Sequence, residues 1–216
     1  HRAICPTMDE GAIRLGNGNL SWATASVQIV GVNDAPTVTS LTASINEGNG
    51  TTSVDGLTGA ADVDNGTTLS IVAPETLPAG VSINGSVITL DANDTAYDSL
   101  AQDETQEVTV TYGVTDGIAT TSNTVTFTVT GTNDAPTVTA LSGAVDEGSS
   151  ASLDGLTGAA DVDNGAVLSV VETDALPTGA SITGNTIALD ASGAAYDYLA
   201  EGVTQQVAVT YGVTDG

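Results

Sequence analysis

A long internal repeat is the feature that most constrains how this chain can fold. Several segments of the first half return almost letter for letter in the second half. GVNDAP at residues 31–36 returns as GTNDAP at 131–136, DGLTGAADVDNG at 55–66 returns at 154–165, and YGVTDG at 112–117 returns at 211–216. Self-similarity at one fixed, domain-sized spacing predicts tandem domains that share a common fold.

The repeat also sets the segment boundaries that we expect. Residues 1–19 read as a leader that is non-native, processed or poorly ordered, because it holds the only His, Met and Cys of the chain. Residues 20–31 align with the end of a repeat, so they are the last strand of a preceding copy or a donor strand. Residues 32–131 form repeat one, and residues 132–216 form repeat two without its last strand.

Charge is distributed unevenly between the leader and the repeats. Of the 27 acidic residues all but Asp9 and Glu10 lie in the repeats, whereas the only basic residues, Arg2 and Arg14, lie in the leader. The formal net charge of −25 therefore resides in the repeats. Because like charges repel, we expect no nucleic-acid partner, and the folded repeats need cations to offset their self-repulsion.

Alternating apolar residues predict β-strands throughout the repeats. In residues 107–115 and 124–130, apolar side chains occupy every second position, which is the period of a half-buried strand. No segment has a convincing helical period, so the expected fold is an all-β sandwich of about seven strands per repeat. The expected strands of repeat one are 37–43, 51–57, 67–73, 81–84, 87–90, 107–115 and 120–130.

Strand direction then sorts the acidic residues onto the two ends of each repeat. If successive strands alternate in direction and the repeats stack end to end, oxygen ligands from three chain segments meet at one junction. The members of this full junction site are Glu47, Asp91, Asn133, Asp134, Asp161, Asp163 and Asp215. A hard cation with about six to eight oxygen ligands fits such a set, and we predict Ca²⁺ as the cofactor.

The same sorting leaves half sites at the outer ends of the pair. The upper half site comprises Asn33, Asp34, Asp62, Asp64 and Asp116, and the lower one comprises Glu147 and Asp190. A different interpretation of the Asp-Val-Asp-Asn-Gly segments remains open at this point, since such a segment can also be a surface turn with Asx hydrogen bonds.

The NDAP linkers, ADVDNG and YGVTDG resemble the cadherin-like, immunoglobulin-like tandem repeats of large bacterial RTX-type surface adhesins, the Vibrio-Colwellia-Bradyrhizobium-Shewanella type. The resemblance covers residues 21–216. It implies immunoglobulin-like or cadherin-like sandwiches joined end to end, which act as structural extenders in cell adhesion and biofilms at the bacterial cell surface. Similarity to cadherin junctions further implies Ca²⁺ ligands at Glu47, Asn133, Asp134, Asp161, Asp163 and Asp215. This chain lacks the additional Asn that cadherin linkers carry before Ala-Pro.

The two ends of the chain are complementary. Residues 20–31 align with 120–131 and place Ala25, Val27 and Ile29 on the face that would point inward, whereas repeat two stops before its equivalent strand. One explanation is an arbitrary boundary within a longer array. The other is a filament of identical subunits, in which residues 20–31 are donated to the open second repeat of a neighbour.

Other function classes fit the sequence less well. A carbohydrate-binding or surface-ligand module usually needs exposed aromatic residues, and the repeats are poor in them. An enzyme could use paired carboxylates, but neither repeat contains His or Cys, so we predict no enzymatic activity. The partners we expect are neighbouring repeats or identical subunits, with a cell-surface or matrix ligand bound only through other parts of the parent protein, and we expect no direct membrane insertion.

Overall fold

The structure is a computed structural model that describes residues 13–14, 20–21 and 23–216. All of its helix or strand elements are β-strands, so the predicted all-β fold is confirmed. The strands are β1 Ile13–Arg14, β2 Leu20–Ser21, β3 Leu41–Asn46, β4 Thr51–Asp55, β5 Ser70–Val72, β6 Val81–Asn84, β7 Val87–Asp91, β8 Thr105–Thr115, β9 Thr120–Thr130, β10 Ser150–Asp154, β11 Ser169–Glu172, β12 Ala180–Thr183, β13 Thr186–Asp190 and β14 Tyr211–Thr214.

Repeat one is a sandwich of two sheets. One sheet has four strands in the order β3-β9-β8-β5, and the other has three in the order β4-β7-β6. All pairs within them are antiparallel except β3 with β9, which run parallel. These directions agree with the predicted alternation, in which the first and last strands of a repeat run the same way.

The first strand of repeat one begins later than predicted. Thr37 forms only an isolated bridge with Ala61, and the strand itself starts at Leu41. β9 starts at Thr120, but it pairs with the first strand only from Val125, opposite Leu41, to Thr130, opposite Asn46. Before Leu41, side chains of β9 bond the backbone carbonyls instead, since Thr121 Oγ1 donates to Pro36 O at 2.7 Å and Asn123 Nδ2 donates to Thr39 O at 3.0 Å.

The core of repeat one lies between the two sheets. The apolar positions predicted to point inward on β8 and β9 are at most 5% exposed, and Phe127 at their centre is fully buried. The one Tyr among them, Tyr112, is buried with its hydroxyl paired, since it donates to Gly56 O at 2.8 Å and accepts from Asn123 Nδ2 at 2.8 Å. Burial of alternate residues on long paired strands thus holds the two ends of the repeat at a fixed separation.

Repeat two has the same three-stranded sheet, in the order β10-β13-β12. Its second sheet contains only β11 and β14, which match β5 and the end of β8. Residues 141–146, which align with β3, form no strand, because the partner of β3 in repeat one is β9 and no residues here align with it.

The described residues before repeat one pair with neither sandwich. Of the predicted leader, residues 1–19, only Ile13–Arg14 is described, and it pairs with Leu20–Ser21. Residues 23–31 form no strand, and the described side chains at Ala25, Val27 and Ile29 are exposed, with Val27 at 85% and Ile29 at 92%. They are therefore not inserted into either repeat of this chain.

Candidate metal centre at the repeat junction

Glu47 brings a carboxylate of repeat one to the junction. It follows β3 directly, and its backbone N–H donates to Thr130 O at 2.9 Å, so the turn is fixed against the end of β9. Its carboxylate accepts from the linker, with Thr132 N to Glu47 Oε2 at 3.2 Å. Only 6% of the residue is exposed, which brings a nearly buried carboxylate to the start of the linker.

Repeat two contributes a compact cluster of carboxylates from two loops. Ligand atoms of Asp161, Asp163 and Asp215 all lie within 4.8 Å of one another. Asp161 and Asp163 belong to the Asp-Val-Asp-Asn-Gly loop, where Asp163 N–H donates to Asp161 Oδ1 at 2.8 Å. Asp215 follows β14 at the same end of the repeat. The cluster therefore forms because this loop and the end of β14 share one edge of the sandwich.

The linker is tied to this cluster by two hydrogen bonds. Asn133 Nδ2 donates to Asp215 Oδ2 at 2.8 Å, and Asp134 N–H donates to Asp163 Oδ2 at 2.9 Å. These two bonds leave other carboxylate oxygens free. The loop does contain the Asx hydrogen bond expected of a simple surface turn. This bond satisfies only one oxygen of Asp161.

Two buried carboxylate oxygens of the cluster have no hydrogen-bond partner. They are Asp161 Oδ2 and Asp163 Oδ1, and Asp163 is only 8% exposed. Buried polar atoms are almost always paired, and a buried anion without a partner is costly. No Lys or Arg occurs in either repeat to neutralise them. A cation bound between these oxygens would provide the missing partner.

Carboxylates of repeat one, the linker and repeat two repel one another across the junction. Burial raises the pKa of Glu47, and the carboxylates of Asp134, Asp163 and Asp98 raise it further, while the Thr132 N–H acts in the opposite direction. Burial likewise raises the pKa of Asp134, followed by repulsion from Asp163, Asp98 and Asp161. The structure thus brings acids from both repeats and from the linker into one repulsive cluster.

Asp98 is a member of this cluster that the sequence reasoning missed. It lies half-buried in the loop between β7 and β8, and it repels both Glu47 and Asp134. A signal was available, because Tyr97-Asp98 recurs in repeat two as Tyr196-Asp197. The neighbouring Tyr97 has a packing role, since it is 1% exposed.

Asp91 is not brought to the cluster by any contact in the described residues. Its Oδ1 accepts the backbone N–H of Asn93 at 3.0 Å, so it caps the turn after β7. The acids that repel Glu47 do not include it. Its position at the end of repeat one that faces the junction agrees with strand direction, but the structure gives it a local capping role.

The upper half site repeats the linker hydrogen bonds of the junction. Asn33 Nδ2 donates to Asp116 Oδ2 at 2.9 Å, and Asp34 N–H donates to Asp64 Oδ2 at 2.9 Å. Asp62 Oδ2 is buried without a partner, as is its counterpart at the junction. Backbone N–H groups of Ile118 and Ala119, and then Asn33, lower the pKa of Asp116. Among the described residues, however, only the acids of the junction bring three carboxylates within 4.8 Å of one another, so the upper half site is less compact than the junction.

The lower half site is not assembled. Glu147 and Asp190 are both exposed, in contrast to the nearly buried Glu47. Hydrogen bonds from Ser192 lower the pKa of Asp190, whose Oδ1 caps the following turn at 2.9 Å, as Asp91 does in repeat one. Glu47 is buried because β9 and the linker cover it, and repeat two has no residues at those positions.

The groups at the junction offer carboxylate and amide oxygens as ligands. A cleft of about 250 Å³ lies beside them, lined in part by Asn133, Asp163 and Asp215. Carboxylate and amide oxygens from separate loops suit a hard cation such as Ca²⁺. No helix in the described part of the chain has the length and apolar character that a membrane span requires.

Comparisons with known proteins give only distant structural likenesses. No family model and no curated protein match the chain. Among solved structures, an endo-fucoidan hydrolase of glycoside hydrolase family 107 is 17% identical, with a TM-score of 0.37, and the similarity covers 81% of this chain but only 28% of that one.

Two tandem immunoglobulin-domain structures are similar at the same level. Sidekick-1 immunoglobulin domains 1-4 are 14% identical with a TM-score of 0.35, and the match covers 84% of this chain and 51% of that one. The titin domains z1z2 in complex with telethonin are 16% identical with a TM-score of 0.32, over 73% of this chain and 81% of that one. The all-β sandwich assignment rests on the strand pairing of the chain itself.

Proposed function

We propose that the chain is a pair of structural extender repeats from an extracellular bacterial surface adhesin or fibre, stiffened by Ca²⁺ at the junction between repeats. The observation that carries the proposal is the pair of buried, unpartnered oxygens on Asp161 and Asp163, placed within a carboxylate cluster and next to the linker. Support also comes from the resemblance of the linker and loop motifs to adhesin repeats, and a location at the bacterial cell surface is part of the proposal.

The mechanism follows from charge and geometry. Without cations, repulsion among Glu47, Asp98, Asp134 and the repeat-two acids opposes the contacts across the junction and raises the share of bent or separated arrangements. A bound Ca²⁺ would contact oxygens from both repeats and the linker at about 2.3–2.6 Å. It would neutralise the repelling carboxylates and join the two repeats. The angle between the repeats then becomes fixed, and an array of such repeats becomes an extended rod.

A calcium titration tests this function. We expect Ca²⁺ to raise the melting temperature and to change the small-angle scattering profile towards an extended particle, with Mg²⁺ much less effective. Replacement of the central ligand, Asp163→Asn, should abolish most of both effects. The matched variant Asp64→Asn, in the upper half site, should leave the change in shape intact. Identical scattering profiles in Ca²⁺ and in chelator would rule out the proposal.

A second candidate function is assembly by strand donation. The exposed residues Val27 and Ile29 align with Phe127 and Val129, which are fully buried in repeat one. In repeat two, Val207 and Val209 are half-buried, whereas their counterparts Val108 and Val110 are covered by β9. A strand from an identical subunit would fill this position and continue into the next linker.

Charge placed on one face of the donor segment tests this assembly. Val27→Asp with Ile29→Asp should abolish multimers in analytical ultracentrifugation, because a carboxylate would enter an apolar core. The control pair Ser26→Asp with Gln28→Asp alters the opposite face and should preserve them. A monomeric wild-type chain at all concentrations would contradict the assembly.

A carbohydrate-binding function draws less support from the structure. Tyr97 and Tyr196 are buried, at 1% and 7% exposure, and both hydroxyls donate to backbone carbonyls of their own repeat. Tyr198 is exposed, at 67%, but it is a single ring without a flanking aromatic partner among the exposed large side chains of the described residues. Stacking on a sugar therefore lacks a platform here.

A further inference from the structure

The two repeats also touch through hydrogen bonds that do not involve the carboxylate cluster. Asn164 N–H, in the loop of repeat two, donates to Ser99 O at 3.0 Å, and its side chain reaches Glu104 Oε2 at 3.5 Å. The linker adds a third contact, in which Asn133 N–H donates to Gln102 Oε1 at 3.1 Å. All the acceptors lie on residues 99–104 of repeat one, which we call the docking loop.

We propose that the docking loop is a calcium-independent docking surface whose partner is the linker and the Asp-Val-Asp-Asn-Gly loop of the following repeat. It would hold the junction near its final angle before any ion binds. This inference goes beyond the proposed calcium function, since it concerns the ion-free protein.

The docking loop is itself fastened to the start of the linker. Gly131 N–H donates to Glu104 O at 2.7 Å, and Asp103 N–H donates to Gly131 O at 3.2 Å. A Cβ on Gly131 would lie 2.3 Å from Ala101 O, so only glycine permits this close approach. The linker therefore leaves repeat one in a direction that the docking loop controls.

Asp103 orients the acceptor that receives the linker. Gln102 Nε2 donates to Asp103 Oδ1 at 3.1 Å, which turns Gln102 Oε1 towards Asn133 N–H. A side-chain amide has one acceptor end, so the carboxylate of Asp103 determines which end faces the linker. Asp103 is a positioning residue in this arrangement.

The backbone of Asp103 supports this interpretation. Its φ of 65° makes it the one non-glycine residue with positive φ in the described part of the chain. Its counterpart in repeat two is Gly202, with a φ of 80°. Glycine adopts this conformation without the steric strain that an L side chain incurs. Strained residues of this kind persist where a specific contact needs the side chain.

Repeat two lacks the docking set. The residues that match Gln102, Asp103 and Glu104 are Glu201, Gly202 and Val203, and Val203 is 57% exposed. Glu201 is a carboxylate and not an amide oriented by a neighbour, and the side chain of Val203 cannot accept a hydrogen bond. The oriented amide of the docking loop is therefore specific to repeat one.

Distance measurements between spin labels test the docking surface in chelator. Labels on Ser82→Cys and Ser181→Cys, exposed at matching strand positions, would report the separation of the repeats in a Cys5→Ser background. Gln102→Ala should enlarge the undocked population about fivefold, the effect of losing one hydrogen bond of ordinary net strength. Asp103→Gly should enlarge it as well while the melting temperature stays equal or rises, because strain is removed.

Asp103→Asn is the conservative control. Asparagine keeps an oxygen acceptor and tolerates the left-handed conformation, so the docked population should remain that of the wild type. If Gln102→Ala and Asp103→Gly both have wild-type distance distributions in chelator, the docking surface does not exist. Failure of Ca²⁺ to narrow the wild-type distribution would instead count against the proposed calcium function alone.

Discussion

Glu47 and Asp116 show how the position of a single carboxylate in the repeat determines its protonation behaviour. Glu47 is nearly buried among other acids, and burial raises its pKa above the ordinary value of 4.5. Asp116 accepts two backbone N–H bonds and one from Asn33, and these lower its pKa below the ordinary value of 3.8. The two residues lie at opposite ends of repeat one, and their surroundings shift the pKa of the same chemical group in opposite directions.

The raised pKa of Glu47 predicts a specific pH dependence in chelator. A carboxyl with a raised folded-state pKa contributes stability below pH 4.5, and that contribution is lost as the pH rises through the raised value. Glu47→Gln removes the titrating group. Urea denaturation from pH 4 to 7 should therefore show that the free energy of unfolding of the wild type falls more steeply with rising pH than that of the variant.

Glu147→Gln provides the matched control for this measurement. Glu147 occupies the same position in repeat two but is exposed, so its replacement should leave the pH profile unchanged. Parallel profiles for wild type and Glu47→Gln would show that Glu47 does not feel the junction acids.

At the scale of elements, β9 links the core to the junction. Its inward side chains, Val125, Phe127 and Val129, have no exposure, and its last residue, Thr130, accepts the backbone N–H of Glu47. Its alternation was visible in the sequence, and so was the direction of every strand in repeat one. The alternation does not reveal where the first strand starts, because side chains of β9, and not its backbone, bond the carbonyls of Pro36 and Thr39.

Truncation of the central side chain of β9 should unfold repeat one selectively. Phe127→Ala removes a fully buried ring and should cost about 3–5 kcal/mol. Thr128→Ala, on the other face of the same strand, should cost less than about 0.5–1 kcal/mol. Urea denaturation followed by near-UV signals would measure both variants, and equal losses would contradict the assigned facing of β9.

For the whole molecule, the decisive quantity is a net charge of −25 carried by repeats that contain no basic residue. Such a chain is stabilised by whatever binds its acids in the folded state, by about 2.7 kcal/mol when a ligand is present at 100 times its dissociation constant. The rise in melting temperature that we expect with Ca²⁺ would result from this stabilisation of the folded state. The docking loop acts in addition, because its hydrogen bonds need no ion.

The sequence by itself determined the tandem all-β architecture, because side-chain alternation, turn residues and strand direction are local properties. It also determined that Asp161, Asp163 and Asp215 come together with Asn133 and Asp134, since strand direction assigns them to one end. Only the tertiary structure decided that Asp98 joins this cluster, and that residues 99–104 dock the next repeat. These outcomes depend on how one repeat sits against the other, a relation between distant segments that no local pattern encodes.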